Sequence, residues 1–338
     1  MKKKIGILVF AGVMALAVAG CTKNDNAQVQ TTPAAAEAEA AIREEAAAEK
    51  PETVTVVHTM GTTEVSYEPQ RIAALDLAAL DILDGLGLGD KVVGIPKKSS
   101  VSYLTSYIDD SEIVNLGSVK EVDMEALNSL EPDLIIIGGR LASEYEAIAK
   151  IAPTIGVQID HEAGYLDSAR KNVENIASLY GKAEEAERIF ADFEARIEAL
   201  KAAAEGKTSL TGLVTSGSVS TLGNGSRCSL ITNEVGFENV AVDVNATHGD
   251  TASFELLLEK NPDFIFVLDR DTAINSEGAK VAKEVMDNEI VRKTDAYQND
   301  QIIYLTPDVW YLSEGGIQAT DTMIKDLETG VKAKDFPR

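Results

Sequence analysis

The sequence predicts an α/β protein of two Rossmann-like α/β lobes, joined by a single long backbone helix, with a ligand cleft between the lobes. Three observations carry this reading. From Thr53 onward, short apolar runs alternate with amphipathic stretches, the pattern of strands interleaved with helices around a largely parallel sheet. That rhythm breaks once, at residues 166–204, where apolar residues keep helical spacing with no strand between them. Finally, Glu125-x-Leu127, Pro132-Asp133 and Arg140 recur as Glu255-x-Leu257, Pro262-Asp263 and Arg270, all at one offset of 130. A constant offset across three elements marks the lobes as structural duplicates.

Taken in order, the chain opens with Lys2, Lys3 and Lys4, an apolar stretch Ile5–Val18, and the small residues Ala19-Gly20 before Cys21. The stretch is too short for a stable membrane span and reads as an export signal over residues 1–20. Leu16-Ala17-Val18-Ala19-Gly20-Cys21 resembles a bacterial lipobox. That resemblance implies cleavage before Cys21, lipidation of its thiol, and a cell-membrane location on the extracytoplasmic face. Residues 21–52, rich in Ala and Glu, hold too little apolar surface for a core and read as a flexible tether.

The folded body then divides into a first lobe (53–165), a backbone helix (166–181) and a second lobe (182–335). In the first lobe, Thr53–Val57 and Glu64–Tyr67 form a hairpin, and Ile72–Leu75, Val92–Ile95, Ile113–Leu116 and Leu134–Ile137 form strands. The helical stretch covers Leu166–Tyr180 and Ala183–Ala204. In the second lobe, Leu210–Thr215, Phe264–Leu268 and Ile302–Leu305 read as strands, and Ile317–Val331 as a closing helix.

Composition excludes several functions. With 31 Lys+Arg against 55 Asp+Glu the formal net charge is -24, so nucleic acid would be repelled over most of the surface. Loss of residues 1–20 removes three lysines and no acid, making the charge still more negative. With Cys21 committed to lipid, Cys228 has no intramolecular partner, and three histidines leave little for a multi-histidine metal site. Gly85-Leu86-Gly87-Leu88-Gly89 follows a helix and precedes a strand, the reverse of a dinucleotide loop. Ser216-Gly217-Ser218 lacks the setting of a nucleophile elbow. No motif marks an enzyme.

The candidate site rests on arginines. Arg140 and Arg270 lie just past the carboxyl ends of repeat-matched strands, where ligands of open parallel sheets gather. Guanidinium is permanently charged and its fork suits delocalised oxyanions. Arg227, in the loop Gly223-Asn224-Gly225-Ser226-Arg227 before a helix at Ser229–Val235, is a third candidate for the same cleft. His248 and Tyr311 offer an imidazole and a phenolate, a pair suited to Fe(III). His58 and His161 read as bland, the latter as part of a solvated acidic turn.

With these residues in place, the body from about Thr53 to Lys332 resembles the siderophore-binding lipoproteins of iron-uptake ABC transporters, and within them the catecholate-binding members of the enterobactin and petrobactin type. Ile72-Ala73-Ala74-Leu75-Asp76-Leu77, Asp133–Arg140, Ile151-Ala152-Pro153-Thr154, Thr247-His248-Gly249, Glu259–Arg270 and Trp310-Tyr311-Leu312 carry the likeness. The resemblance implies a monomer with no permanent cofactor, whose transported ligand is an Fe(III)-siderophore. It implies that Arg140, Arg227 and Arg270 floor the cleft, and that His248 and Tyr311 complete iron coordination when the siderophore supplies only two catechols. It further implies that Glu125 and Glu255 dock onto a dimeric permease coupled to an ATPase. Lys98, past the strand Val92–Ile95, is a weaker cleft candidate, and Trp310 is expected beside the cleft. Haem and cobalamin are the alternative ligands within this class, and the arginine triad argues against them; a lipid-anchored hydrolase or adhesion module is the alternative outside it.

Overall fold

The computed structural model describes residues 50–161, 163–241, 250–252, 254–276, 278 and 280–331. Strands β1 (Thr53–His58) and β2 (Gly61–Ser66) pair antiparallel around the expected turn. His58 pins this hairpin to the body: its Nδ1 accepts the backbone N–H groups of Met60 and Gly156, both at 3.2 Å, and its Nε2 lies 3.0 Å from Thr63 Oγ1.

The first lobe comprises β3 (Ile72–Ala74), α1 (Leu77–Gly85), β4 (Val92–Ile95), β5 (Val114–Asn115), β6 (Gly117–Ser118), β7 (Glu121–Val122), α2 (Met124–Ser129), β8 (Leu134–Gly138) and β9 (Thr154–Val157). Five strands form a wholly parallel sheet in the order β5-β4-β3-β8-β9. The predicted strand Ile113–Leu116 shrinks to two residues at the sheet edge, and the small β6–β7 hairpin was not anticipated. Every residue of β3, β8 and β9 is buried, as expected of parallel strands covered on both faces. The strand period sorts them: Leu134 and Ile136 join one core cluster, Ile135 and Ile137 another.

The helical stretch is a pair. Helix α3 (Tyr165–Ser178) and α4 (Ala183–Ala204) are separated by a turn in which Gly181 has φ +65°, a conformation that L side chains resist. The backbone helix thus ends at Ser178, short of the expected 181. The two helices are stapled by Arg170, which bonds Glu194 and covers the Phe190 ring at 4.8 Å.

The second lobe comprises β10 (Thr208–Thr215), β11 (Ser218–Leu222), β12 (Glu238–Asn239), β13 (Asp250–Ala252), α5 (Phe254–Lys260), β14 (Phe264–Asp269), α6 (Arg270–Ala273), β15 (Ile302–Tyr304), α7 (Pro307–Leu312) and α8 (Ile317–Gly330). Its sheet runs β13-β11-β10-β14-β15, with β12 also on β10. The repeat holds for the central strands: β8 sits between β3 and β9 as β14 sits between β10 and β15, all parallel. It fails beyond them, because β11 and β13 run antiparallel where the first lobe has parallel β4 and β5.

The recurring Pro-Asp has a structural reason. Asp133 accepts the backbone N–H groups of Gln70 (2.7 Å) and Arg71 (2.8 Å), just before β3. Asp263 accepts the N–H and Oγ1 of Thr208, both at 2.9 Å, at the start of β10. Each carboxylate therefore ties the strand that follows it to its parallel neighbour.

Candidate functional site

Arg140 and Arg270 leave equivalent strands at their carboxyl ends. Arg140 lies two residues past β8, in the 3₁₀ stretch Gly139–Glu144, and Arg270 opens α6 directly after β14. The last residue of β8, Gly138, lies where any Cβ would collide with the carboxylate of Asp76. Asp76 caps α1, accepting the Ala78 N–H at 2.8 Å through Oδ1, while Oδ2 lies 3.9 Å from Arg140 Nη1. Burial pushes the Asp76 carboxyl above the usual range, and the Arg140 charge opposes that shift.

Arg227 arrives from the loop after β11. Cys228 follows it with φ +71°, and a π-helical turn, Leu230–Glu234, replaces the longer helix expected there. Tyr311, on α7, is the point where the three arginines meet. Its carbonyl oxygen accepts from Arg140 Nη2 at 2.8 Å and Arg227 Nη1 at 3.1 Å, and its hydroxyl accepts from Arg270 Nε at 3.0 Å. The Arg227 guanidinium also covers the Tyr311 ring, 4.5 Å from its centroid. Each arginine faces a nearby acid: Asp76 for Arg140, Glu314 at 3.4 Å for Arg227, and Asp271 at 3.5 Å for Arg270.

These side chains border a cavity of about 400 Å³, lined by Asp76, Arg140, His161, Arg227, Tyr311 and Glu314 among others. Arg270 lines a second cavity of about 960 Å³ and reaches the first through its bond to Tyr311. The arrangement suits an oxyanion with an aromatic body: guanidiniums to pair and stack, and an aromatic floor.

Two cleft residues were misread or missed in the sequence. His161 is part of the cleft wall rather than a solvated turn, with Nδ1 2.8 Å from Ser229 Oγ of the other lobe. It lies four residues past β9, so the strand-end logic that singled out Arg140 also pointed to it. Glu314 carried no signal beyond being another acid in an acidic chain.

Other candidates lie elsewhere. Lys98 is exposed in the turn after β4 and lines neither cavity. Trp310 is wholly buried, its Nε1 donating to Asp326 at 2.8 Å, so it belongs to the core and not to the cleft. Glu125 and Glu255 are both exposed in the first turns of α2 and α5. His248 and Cys21 lie outside the described residues. Among the described residues no group of three His, Cys, Asp or Glu side chains could hold a metal ion.

Comparison with known proteins agrees with this architecture. The petrobactin-binding protein YclQ of Bacillus subtilis (strain 168) is 35% identical over 288 residues, covering 84% of this chain and 90% of the relative. The crystal structure of that YclQ superposes with a TM-score of 0.78, covering 83% of this chain and 99% of the other at 36% identity. The catecholate-siderophore binding protein VctP from Vibrio cholerae gives a TM-score of 0.77 at 30% identity, covering 82% of this chain and all of the other. The ferric-anguibactin-binding protein FatB of Vibrio anguillarum (strain ATCC 68554 / 775) is 28% identical, covering 83% of this chain and 88% of the relative. Residues 72–309, from β3 into α7, match the family described as periplasmic binding protein, and the chain therefore belongs to that family.

Proposed function

We propose that this protein captures a ferric catecholate siderophore outside the cytoplasm and delivers it to an ABC permease, with no bond chemistry of its own. The observation that carries this reading is the convergence of Arg140, Arg227 and Arg270 on Tyr311 at the cleft. A ferric catecholate is anionic and aromatic, and three guanidiniums around a phenol ring answer both properties. The relatives named for petrobactin and catecholate siderophores support the same ligand class.

In this reading Tyr311, with His248, ligates the cargo iron when the siderophore supplies two catechols. Exposed Glu125 and Glu255 meet arginines of the permease, one from each lobe. Cys21 carries the lipid that holds the monomer at the membrane; relatives named as lipoproteins support that anchor. No described helix is long and apolar enough to cross a membrane.

The test is a titration with ferric petrobactin and ferric enterobactin, followed by the catecholate charge-transfer band. Saturable binding is expected at or below micromolar ligand. Replacing Arg227 by Gln should weaken it at least tenfold, the scale of one charge-assisted bond. Haem or cobalamin binding in place of both ferric catecholates would sink the proposal.

A further inference from the structure

Glu314 sits in the cleft but belongs to neither the arginine clamp nor the iron ligands. Its side chain is only 9% exposed, and it borders the same cavity as Arg140, Arg227 and Tyr311. Oε2 lies 3.4 Å from Arg227 Nη1, beyond the 2.7–2.9 Å of a good charge-assisted bond. Oε1 is buried with no hydrogen-bond partner among the described residues, and so is Nε of Arg227. A buried acceptor left open in this way is unusual and costly.

The chain pairs guanidinium tightly elsewhere. Arg196 holds Glu328 at 2.8 and 2.9 Å and Asp321 at 2.7 Å. In the cleft, by contrast, the pairs Arg140–Asp76, Arg227–Glu314 and Arg270–Asp271 stand at 3.9, 3.4 and 3.5 Å. Three carboxylates set back from three guanidiniums bring the nominal charge of the floor to zero. A site meant only for an anion has no use for that offset. Among the described residues no donor, Arg227 Nε included, bonds the open acceptor of the Glu314 carboxylate.

We infer that Glu314 is a specificity-determining residue that accepts a protonated amine of the ligand, so that the cleft selects ferric catecholates whose linker carries an ammonium group. This rests on the siderophore reading above and narrows its substrate class. The iron–catecholate end would pair with the arginines while the ammonium approaches Glu314, each charge of the ligand meeting its opposite on one floor.

A matched pair of probes tests it. One is spermidine acylated on both primary amines with dihydroxybenzoyl groups and loaded with one equivalent of Fe(III); its secondary amine is protonated at neutral pH. The other has a methylene in place of that amine. The native protein is expected to bind the ammonium probe at least about tenfold more tightly, the scale of a hydrogen bond to a charged group. In Glu314→Gln, whose fold is checked by thermal unfolding, the ratio should fall to within about twofold. Equal affinities in the native protein would overturn the inference. So would a ratio that survives Glu314→Gln, since the preference for the ammonium would then arise elsewhere in the cleft. Failure of both probes while ferric petrobactin binds overturns this inference alone; failure of all three brings down the siderophore reading with it.

Discussion

Tyr311 is held from three directions, and the consequences for substitution separate cleanly. Tyr311→Phe removes one hydroxyl, and with it the Arg270 bond at 3.0 Å, but keeps the ring under Arg227 and the carbonyl that Arg140 and Arg227 share. It should cost about 1 kcal/mol of stability, whereas Tyr311→Ala also empties a buried ring site and should cost about 3–5 kcal/mol. Thermal or denaturant unfolding of the two variants reads the difference. His58 supplies a pH-dependent counterpart. Its Nδ1 accepts two backbone N–H groups, and burial holds its pKa below 6.5. Below pH 6.5 the unfolded chain takes up a proton that the folded chain refuses, so this contribution to stability is full above 6.5 and declines as pH falls toward the lowered value. A unfolding-temperature series from pH 7.5 to 5 should show a slope that His58→Gln flattens.

At the scale of elements, three carboxylates do what helix and strand propensity cannot. Asp81, on α1, accepts the Gln318 and Ala319 N–H groups at the start of α8 at 2.9 and 2.8 Å, and the Tyr103 hydroxyl at 2.6 Å. The last helix is therefore capped by the first one, more than 200 positions away in sequence. Asp81→Ala would orphan three donors in a buried place and should cost about 3 kcal/mol or more in chemical denaturation. Burial pushes the Asp81 carboxyl up to about 6. Since the folded form then holds its proton more tightly than the unfolded one, this contribution to stability rises as pH falls from about 6 toward 3.8. The Asp133 and Asp263 tethers make a second test. Each Asp→Ala change should cost about 1–2 kcal/mol, and because the two lie in different sheets their effects should add to within about 0.5 kcal/mol. A large coupling term would contradict two separate tethers.

At the scale of the molecule, the α/β alternation and the repeat were legible because they are local or periodic. The strand-end position of Arg140 and Arg270 follows from the repeat alone. What could not be read were pairings across long sequence separations. Asp76 beside Arg140, Ser229 beside His161 and Arg227 beside Glu314 need the fold before they become neighbours. Strand β11 was not read at all, because Ser218–Leu222 holds only two apolar residues and forms no run that stands out. One core cluster contains Leu134 and Ile136 of the first sheet together with Phe264 and Phe266 of the second. Lobes that share a core cannot swing far, so ligand should change the radius of gyration by less than about 1 Å in small-angle scattering.

Cys228 adds a point of chemical durability. It is 2% exposed beside Arg227, and burial pushes its thiol well above the ordinary cysteine range. In the presence of oxygen, ferric iron and catechols generate quinones and peroxide, with oxygen as the electron acceptor, and these reagents attack thiolates. A thiol kept protonated and shielded beneath the cleft offers them nothing to modify, so the receptor can survive repeated loading with a redox-active cargo. Ellman's reagent should find no reactive thiol in the folded body and one after denaturation.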